Sequence, residues 1–157
     1  MTRYEHTQIG YVTIAVVSVA AVAVAIGAIP APPPDHAILL GVFVVLALTA
    51  VVFRKLTIKI ENEMLRACFG SGLICKKVPL AEIVAFQPIR IRWWYGWGIH
   101  LVPTPYGWGW LYNISGWNAV AIKLRDGRRL ALGTDDPDGL VTAIEAGSGR
   151  IQVRATT

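Results

Sequence analysis

Charged residues are scarce in this sequence, and they are nearly missing from its first third. Only 16% of the 157 residues are charged, against 54% that are hydrophobic. Before Arg54 the one basic residue is Arg3, and the acidic residues are Glu5 and Asp35. With a mean hydropathy of +0.50, this segregation excludes an ordinary soluble domain and indicates one part in lipid and another in water.

The residue patterns of familiar catalytic sites are also lacking. The three histidines, His6, His36 and His100, fall in separate regions, with no spacing typical of a metal site. No phosphate loop, nucleophile elbow or dinucleotide fingerprint occurs. We therefore expect no enzyme activity, no catalytic residue, no metal and no cofactor.

Cysteine is rare, and the two cysteines lie close together in the sequence. Cys68 and Cys75 flank a turn-like Gly-Ser-Gly at 70–72, so a hairpin would bring them near each other. They are either a redox pair or two small reduced residues. The second interpretation is favoured, because thiols stay reduced in the cytoplasm.

Two long stretches carry no charge. Residues 9–29 are twenty-one uncharged residues, and at about 1.5 Å per residue a helix of that length crosses a hydrocarbon core of about 30 Å. The proline-rich segment 30–36 cannot continue the helix, and residues 37–53 give a second span that ends at Arg54. We therefore predict a transmembrane helical hairpin over residues 1–55. The rival interpretation, a cleaved signal peptide, fits less well because the apolar stretch is too long.

The orientation follows from the distribution of Lys and Arg. The loop between the two spans has neither residue, whereas Arg3 precedes the first span and Arg54, Lys55 and Lys59 follow the second. The positive-inside rule then predicts a multi-pass protein of the bacterial inner (plasma) membrane with both termini in the cytoplasm.

After Arg54, hydrophobic residues recur at every second position. Apolar and polar residues alternate over 56–60 and again over 120–124, which is typical of half-buried strands, and Asp-Gly at 126–127 predicts a tight turn. The segment 134–137 is typical of a helix start. The face of that short helix would be Leu140, Val141 and Ile144. We predict a β domain over residues 56–147 and a flexible tail over 148–157.

Four segments of this region carry a family resemblance. They are RKLTIKI at 54–60, VPLAEI at 78–83, WWYGWGI at 93–99 and GWNAVAIKLRDGRRLALGTDDPDGL at 116–140. In this order they resemble the bacterial pleckstrin-homology-like domain of small membrane proteins with an N-terminal helical hairpin. The resemblance implies a membrane α + β protein, in which an antiparallel β-barrel is capped by a C-terminal helix, and it implies no enzyme activity. Eukaryotic relatives often bind phosphoinositides through Lys and Arg in the first hairpin turn. That turn here is Glu-Asn-Glu at 61–63, so the phosphoinositide site is not carried over.

The most unusual segment is rich in tryptophan. All six tryptophans lie between residues 93 and 117, interleaved with glycine and tyrosine. Trp and Tyr favour the water–lipid boundary because one end of each ring system is apolar and the other forms hydrogen bonds. Packing between subunits and packing inside the domain are the alternatives. The expected interface residues are Arg90, Arg92, Trp93, Trp94, Trp97, Trp108 and Trp110, and the expected juxtamembrane basic residues are Arg54, Lys55 and Lys59.

The basic charge of the region after the spans indicates its partner. From Arg54 onward there are fourteen Lys and Arg against eight acidic residues, a net charge of +6. Such a domain is attracted to anionic lipids, and no nucleic-acid motif occurs. We expect a non-enzymatic membrane protein whose β domain contacts lipid or scaffolds partners at the inner leaflet. The alternative is a structural or accessory subunit of a membrane protein complex or homo-oligomer, with the Trp-rich segment as the protein contact.

Overall fold

The structure is a computed structural model, and it describes residues 2–148 of the chain. Its helices are α1 (Tyr11–Ala28), α2 (Asp35–Val52) and α3 (Pro137–Ser148). Its strands are β1 (Thr2–Ile9), β2 (Lys55–Glu61), β3 (Met64–Phe69), β4 (Ile74–Pro79), β5 (Ile83–Arg90), β6 (Gly98–Thr104), β7 (Gly107–Asn113), β8 (Asn118–Leu124) and β9 (Arg129–Gly133). Residues 149–157 of the predicted tail lie outside the described residues.

Helices α1 and α2 pack against each other and face outward over most of their length. No residue of α2 is buried, and α1 buries only Ala21 and Ala28. A core helix of a soluble protein would instead be mostly buried. Both helices are long and apolar enough to cross a membrane, each with a mean hydropathy of 2.3. Their ends lie within two residues of the predicted spans.

The strand before the first helix was not predicted. β1 pairs antiparallel with β2, so that Ile9 lies opposite Lys55 and His6 opposite Ile58. The helical hairpin is therefore inserted between two neighbouring strands of one sheet. Residues 1–55 were assigned to the hairpin from the sequence, whereas the structure makes Thr2–Ile9 part of the β domain.

The strands form two sheets. The first has the order β1-β2-β3-β4, and the second has the order β5-β8-β9-β7-β6. No closed barrel occurs in the part of the chain that the structure describes, in contrast to the barrel that the resemblance implied. The second sheet is also mixed, because β7 and β9 are parallel. The tight turn at 126–127 places β9 antiparallel beside β8. The other edge of β9 pairs with β7, which runs in the same direction.

The main core lies between the two sheets and α3. The inward residues of β2 are Leu56, Ile58 and Ile60, as their alternation predicted. The predicted face of the last helix, Leu140, Val141 and Ile144, is buried in the same core. Burial of these apolar side chains is the main favourable term in the folding of the domain.

The cysteines form a disulfide bond, and the expectation that both would be reduced was wrong. Cys68 and Cys75 lie directly opposite each other on β3 and β4, with 4.1 Å between their Cα atoms. The physical reason is the antiparallel register, which brings the two sulfur atoms within bonding distance. Disulfides persist mainly in oxidising compartments.

Candidate membrane interface

The helical hairpin joins the β domain without a linker. β1 ends at Ile9 and α1 begins at Tyr11, while α2 ends at Val52 and β2 begins at Lys55. The Gly10 N–H donates a hydrogen bond to the Arg54 carbonyl at 2.9 Å, so the two chain crossings are adjacent. This short connection fixes the ends of both helices against the first sheet.

The loop after β7 packs onto this junction. A Cβ at Gly10 would lie 2.8 Å from Cγ1 of Ile114 and 3.2 Å from the carbonyl oxygen of Phe53. The Thr13 hydroxyl lies 3.5 Å from the carbonyl oxygen of Ile114, to which it donates a hydrogen bond. The start of α1 is therefore in contact with the second sheet as well as the first, and Gly10 allows the close approach.

A buried polar side chain strengthens this connection. Gln8 is 2% exposed, and its amide nitrogen donates a hydrogen bond to the Gly133 carbonyl at 2.6 Å. The Ser115 hydroxyl donates to the amide oxygen of Gln8 at 3.1 Å. Buried amides without such partners cost about 1–3 kcal/mol. These bonds therefore hold the end of β1, just before α1, in one orientation.

Trp97 lies beside the start of α1 and the end of α2. It lines a cavity of about 210 Å³ together with Thr13 of α1 and with Thr49 and Phe53 at the end of α2. Its ring is 6.2 Å from that of Trp117, centre to centre, and both rings are partly exposed. Of the residues predicted for the interface, Trp97 is the one in this junction cavity.

The end of β5 and its connection to β6 carry four more of the predicted residues. Arg90, Trp93 and Trp94 are exposed, and the Arg92 guanidinium carbon lies 4.7 Å from the centre of the Trp94 ring. The Ile91 N–H donates to the Trp117 carbonyl at 2.6 Å, which holds this connection at the same end of the sheet as Trp97. An exposed Arg–Trp stack of this kind contributes about 0.5–1 kcal/mol.

Trp108 and Trp110 lie elsewhere. Both are on β7, and at about 3.3 Å per residue they are roughly 16 and 10 Å along the strand from Asn113, the end that adjoins the helices. They line a separate cleft of about 310 Å³ with Leu101 and Lys76. The seven predicted residues therefore divide into a group near the helix ends and an exposed aromatic patch, which we define as Leu101, Trp108 and Trp110.

The three juxtamembrane cations also differ in their surroundings. Lys59 lies between Glu5 at 3.6 Å and Glu61 at 3.4 Å, so its charge is balanced within the first sheet. Arg54 is exposed, and neither Arg54 nor Lys55 has a carboxylate within 4 Å in the described part of the chain. These two cations, next to the end of α2, remain available for an anionic group.

Tyr11 and Trp117 are interface candidates that the sequence analysis did not select. Tyr11 is the first residue of α1 and its side chain is 72% exposed. An aromatic residue at the end of a span is a known sequence signal for the membrane boundary, and it would have identified Tyr11. Trp117 has no such signal, because only the folded chain brings it to Trp97.

The described residues contain no group of three or more His, Cys, Asp and Glu side chains that could hold a metal ion. Two tyrosines have a raised pKa, because burial raises the pKa of both Tyr106 and Tyr112 above the ordinary value.

The arrangement is that of an apolar and cationic surface around two helices that are long and apolar enough to cross a membrane. No protein-family model, curated protein or solved structure matches this chain.

Proposed function

We propose that this is a non-enzymatic integral membrane protein that holds its β domain against a leaflet as a lipid-contacting or scaffolding module. The observation that carries the proposal is the direct connection between the outward-facing apolar helices and the β domain, with Trp97 at the junction. A domain attached in this way cannot move far from the bilayer. Arg54 and Lys55 then lie at headgroup level, where each cation near an anionic surface contributes about 1 kcal/mol.

We propose further that the domain lies on the cytoplasmic side. The pairing of β1 with β2 is consistent with both ends of the helical hairpin on one side of the membrane. The absence of Lys and Arg between the spans and their presence at Arg3, Arg54 and Lys55 favour the cytoplasm for that side. The Cys68–Cys75 disulfide favours the opposite side, and thiol labelling in intact cells distinguishes the two orientations.

The fold of the domain supports a pleckstrin-homology-like assignment in part. Two packed sheets followed by a C-terminal helix are in keeping with it. The unclosed sheets and the parallel pairing of β7 with β9 depart from the bent antiparallel barrel that the resemblance implies. We propose the assignment on the order of elements alone.

Tryptophan quenching by brominated lipids tests the proposed lipid contact. The full chain would be reconstituted in anionic vesicles, and wild type would be compared with Trp97→Phe and Trp108→Phe. We expect Trp97→Phe to remove quenchable emission and Trp108→Phe to remove emission that the brominated lipids do not quench. Equal quenching of wild type and Trp97→Phe would contradict the lipid contact.

The exposed aromatic patch favours a second candidate function, that of an accessory subunit or homo-oligomer. Trp108 and Trp110 are 63% and 52% exposed, and they lie away from the helix ends. Aromatic residues of this kind are enriched at protein–protein contacts. Purification in mild detergent would test it: a stoichiometric partner or a homo-oligomer that is lost on Trp108→Ser and Trp110→Ser supports this candidate, and a monomer contradicts the homo-oligomer.

A further inference from the structure

The tip of the β3–β4 hairpin, residues 70–73, lies against the last turn of α2. The Gly70 N–H donates a hydrogen bond to the Lys55 carbonyl at 2.8 Å. A Cβ at Gly70 would lie 2.6 Å from the carbonyl oxygen of Val52 and 3.2 Å from that of Val51. The backbone of the tip is therefore at the level where the second membrane helix ends.

The direction of the strands extends the tip further toward the helices. β3 ends at Phe69, which lies opposite Leu56, near the beginning of β2. The chain continues past this level before it returns along β4 from Ile74. If α2 crosses the bilayer, then residues 71–73 lie beside its final turn, within the interfacial layer of the same leaflet.

The tip exposes apolar side chains in a turn that is otherwise small and polar. Leu73 is 72% exposed and Ile74 is 37% exposed, beside Ser71 and Gly72. Transfer of an exposed leucine side chain from water into an apolar environment is favourable. The lysines at 76 and 77 follow, and neither has a carboxylate within 4 Å in the described residues.

We propose that Leu73 and Ile74 insert into the phospholipid leaflet as a second lipid contact, separate from Trp97. Leu73 does not line the cavity of Trp97. The lysine at 77, which is exposed on the strand that leaves the tip, would face lipid phosphates. This inference rests on the proposed function, because it requires that α1 and α2 span a bilayer. It holds whether the β domain lies on the cytoplasmic or on the opposite side of the membrane.

Site-specific fluorescent labelling of the full chain tests the inference. Cysteines for an environment-sensitive nitrobenzoxadiazole label would be introduced one at a time by Leu73→Cys, Trp97→Cys and Asp126→Cys, each with Cys68→Ala and Cys75→Ala. Asp126 is the matched control, because it lies at the tip of the β8–β9 hairpin, next to the start of β9. The other end of β9, at Gly133, is bonded to Gln8 near the start of α1. Each variant would be reconstituted in vesicles with and without brominated phosphatidylglycerol.

We expect the label at 73 to be blue-shifted and quenched by the brominated lipid, and the label at 126 to be unchanged. Quenching at 97 without quenching at 73 overturns the inference and leaves the proposed function in place. Quenching at 73 without quenching at 97 supports the inference and removes Trp97 from the interface. Quenching at neither site, equal quenching at 73 and 126, or a blue-shifted label at 73 that the brominated lipid does not quench would overturn the inference.

Discussion

Gly10 and Arg54 are joined by a backbone hydrogen bond of 2.9 Å, at the point where the chain enters and leaves the helical hairpin. The bond continues the pairing of β1 with β2, whose last pair is Ile9 with Lys55. The strand ladder therefore runs up to the start of α1 and the end of α2. A displacement of either helix along its axis would be transmitted to the sheet.

The close approach at this junction predicts a sensitive glycine. Gly10→Val places new methyl groups against Ile114 and the carbonyl of Phe53, and overpacking of this kind costs about 1–3 kcal/mol. Thermal unfolding in detergent should show a lower midpoint. Gly27→Val is the matched control, because nothing lies within 4 Å of a Cβ there. Equal midpoints for the two variants would mean that the junction is not tightly packed.

The docking of the last helix predicts a large effect of one core substitution. Leu140 is fully buried between α3 and the sheets, so Leu140→Ala should destabilise the protein by about 2–5 kcal/mol. Thr142→Ala, on the exposed side of the same helix, should change the free energy of unfolding by no more than about 0.5 kcal/mol. Chemical denaturation of the full chain in detergent measures both. A small effect of Leu140→Ala would contradict the docking.

The alkaline limit of stability should depend on Tyr4. Burial of its phenol, and then its hydrogen bond to Oδ2 of Asp136 at 3.1 Å, raise its pKa above the ordinary value of 10.0. The neutral form is thus favoured in the folded state, so its stabilisation is complete below about pH 10 and is lost as the pH rises further. Tyr4→Phe should flatten that part of the curve of melting temperature against pH. An unchanged alkaline slope would contradict the assignment to Tyr4.

The topology is measurable with an impermeant thiol reagent in intact cells. With Cys68→Ala and Cys75→Ala in place, a cysteine introduced by Asp35→Cys should react and one introduced by Asp138→Cys should not, if the domain is cytoplasmic. The reverse pattern would place the β domain outside, where the wild-type disulfide would be expected to persist. The two outcomes also predict opposite redox states of the cysteines in freshly lysed cells.

Much of the architecture could be predicted from the spacing of hydrophobic residues along the sequence. The uncharged stretches predicted two helices, the alternation at 56–60 predicted β2, and the spacing of Leu140 and Ile144 predicted the buried face of α3. These features depend on local sequence and on which side of an element is apolar. The spacing of hydrophobic residues predicts a helix or a strand well where one face of that element is uniformly hydrophobic.

The features that were missed depend on distant parts of the chain. The inward side chains of β1 include Tyr4, His6 and Gln8, so the strand has no hydrophobic alternation to detect. Its partner strand follows both α1 and α2 in the sequence. Composition likewise could not separate Trp97 from Trp108, because only the register of β6 and β7 assigns them to different places.

The insertion of the hairpin between β1 and β2 has a consequence for biogenesis. β1 is synthesised first, yet its hydrogen-bonding partner β2 emerges from the ribosome only after α1 and α2. The first sheet therefore cannot be completed until the helical hairpin has formed and β2 has reached β1. Cutting the chain at Arg54 would leave the backbone edge of β2 unpaired, and exposed edges of this kind promote aggregation. Synthesis of α1 and α2 thus precedes completion of the first sheet, and residues 55–148 alone lack one strand of the β domain.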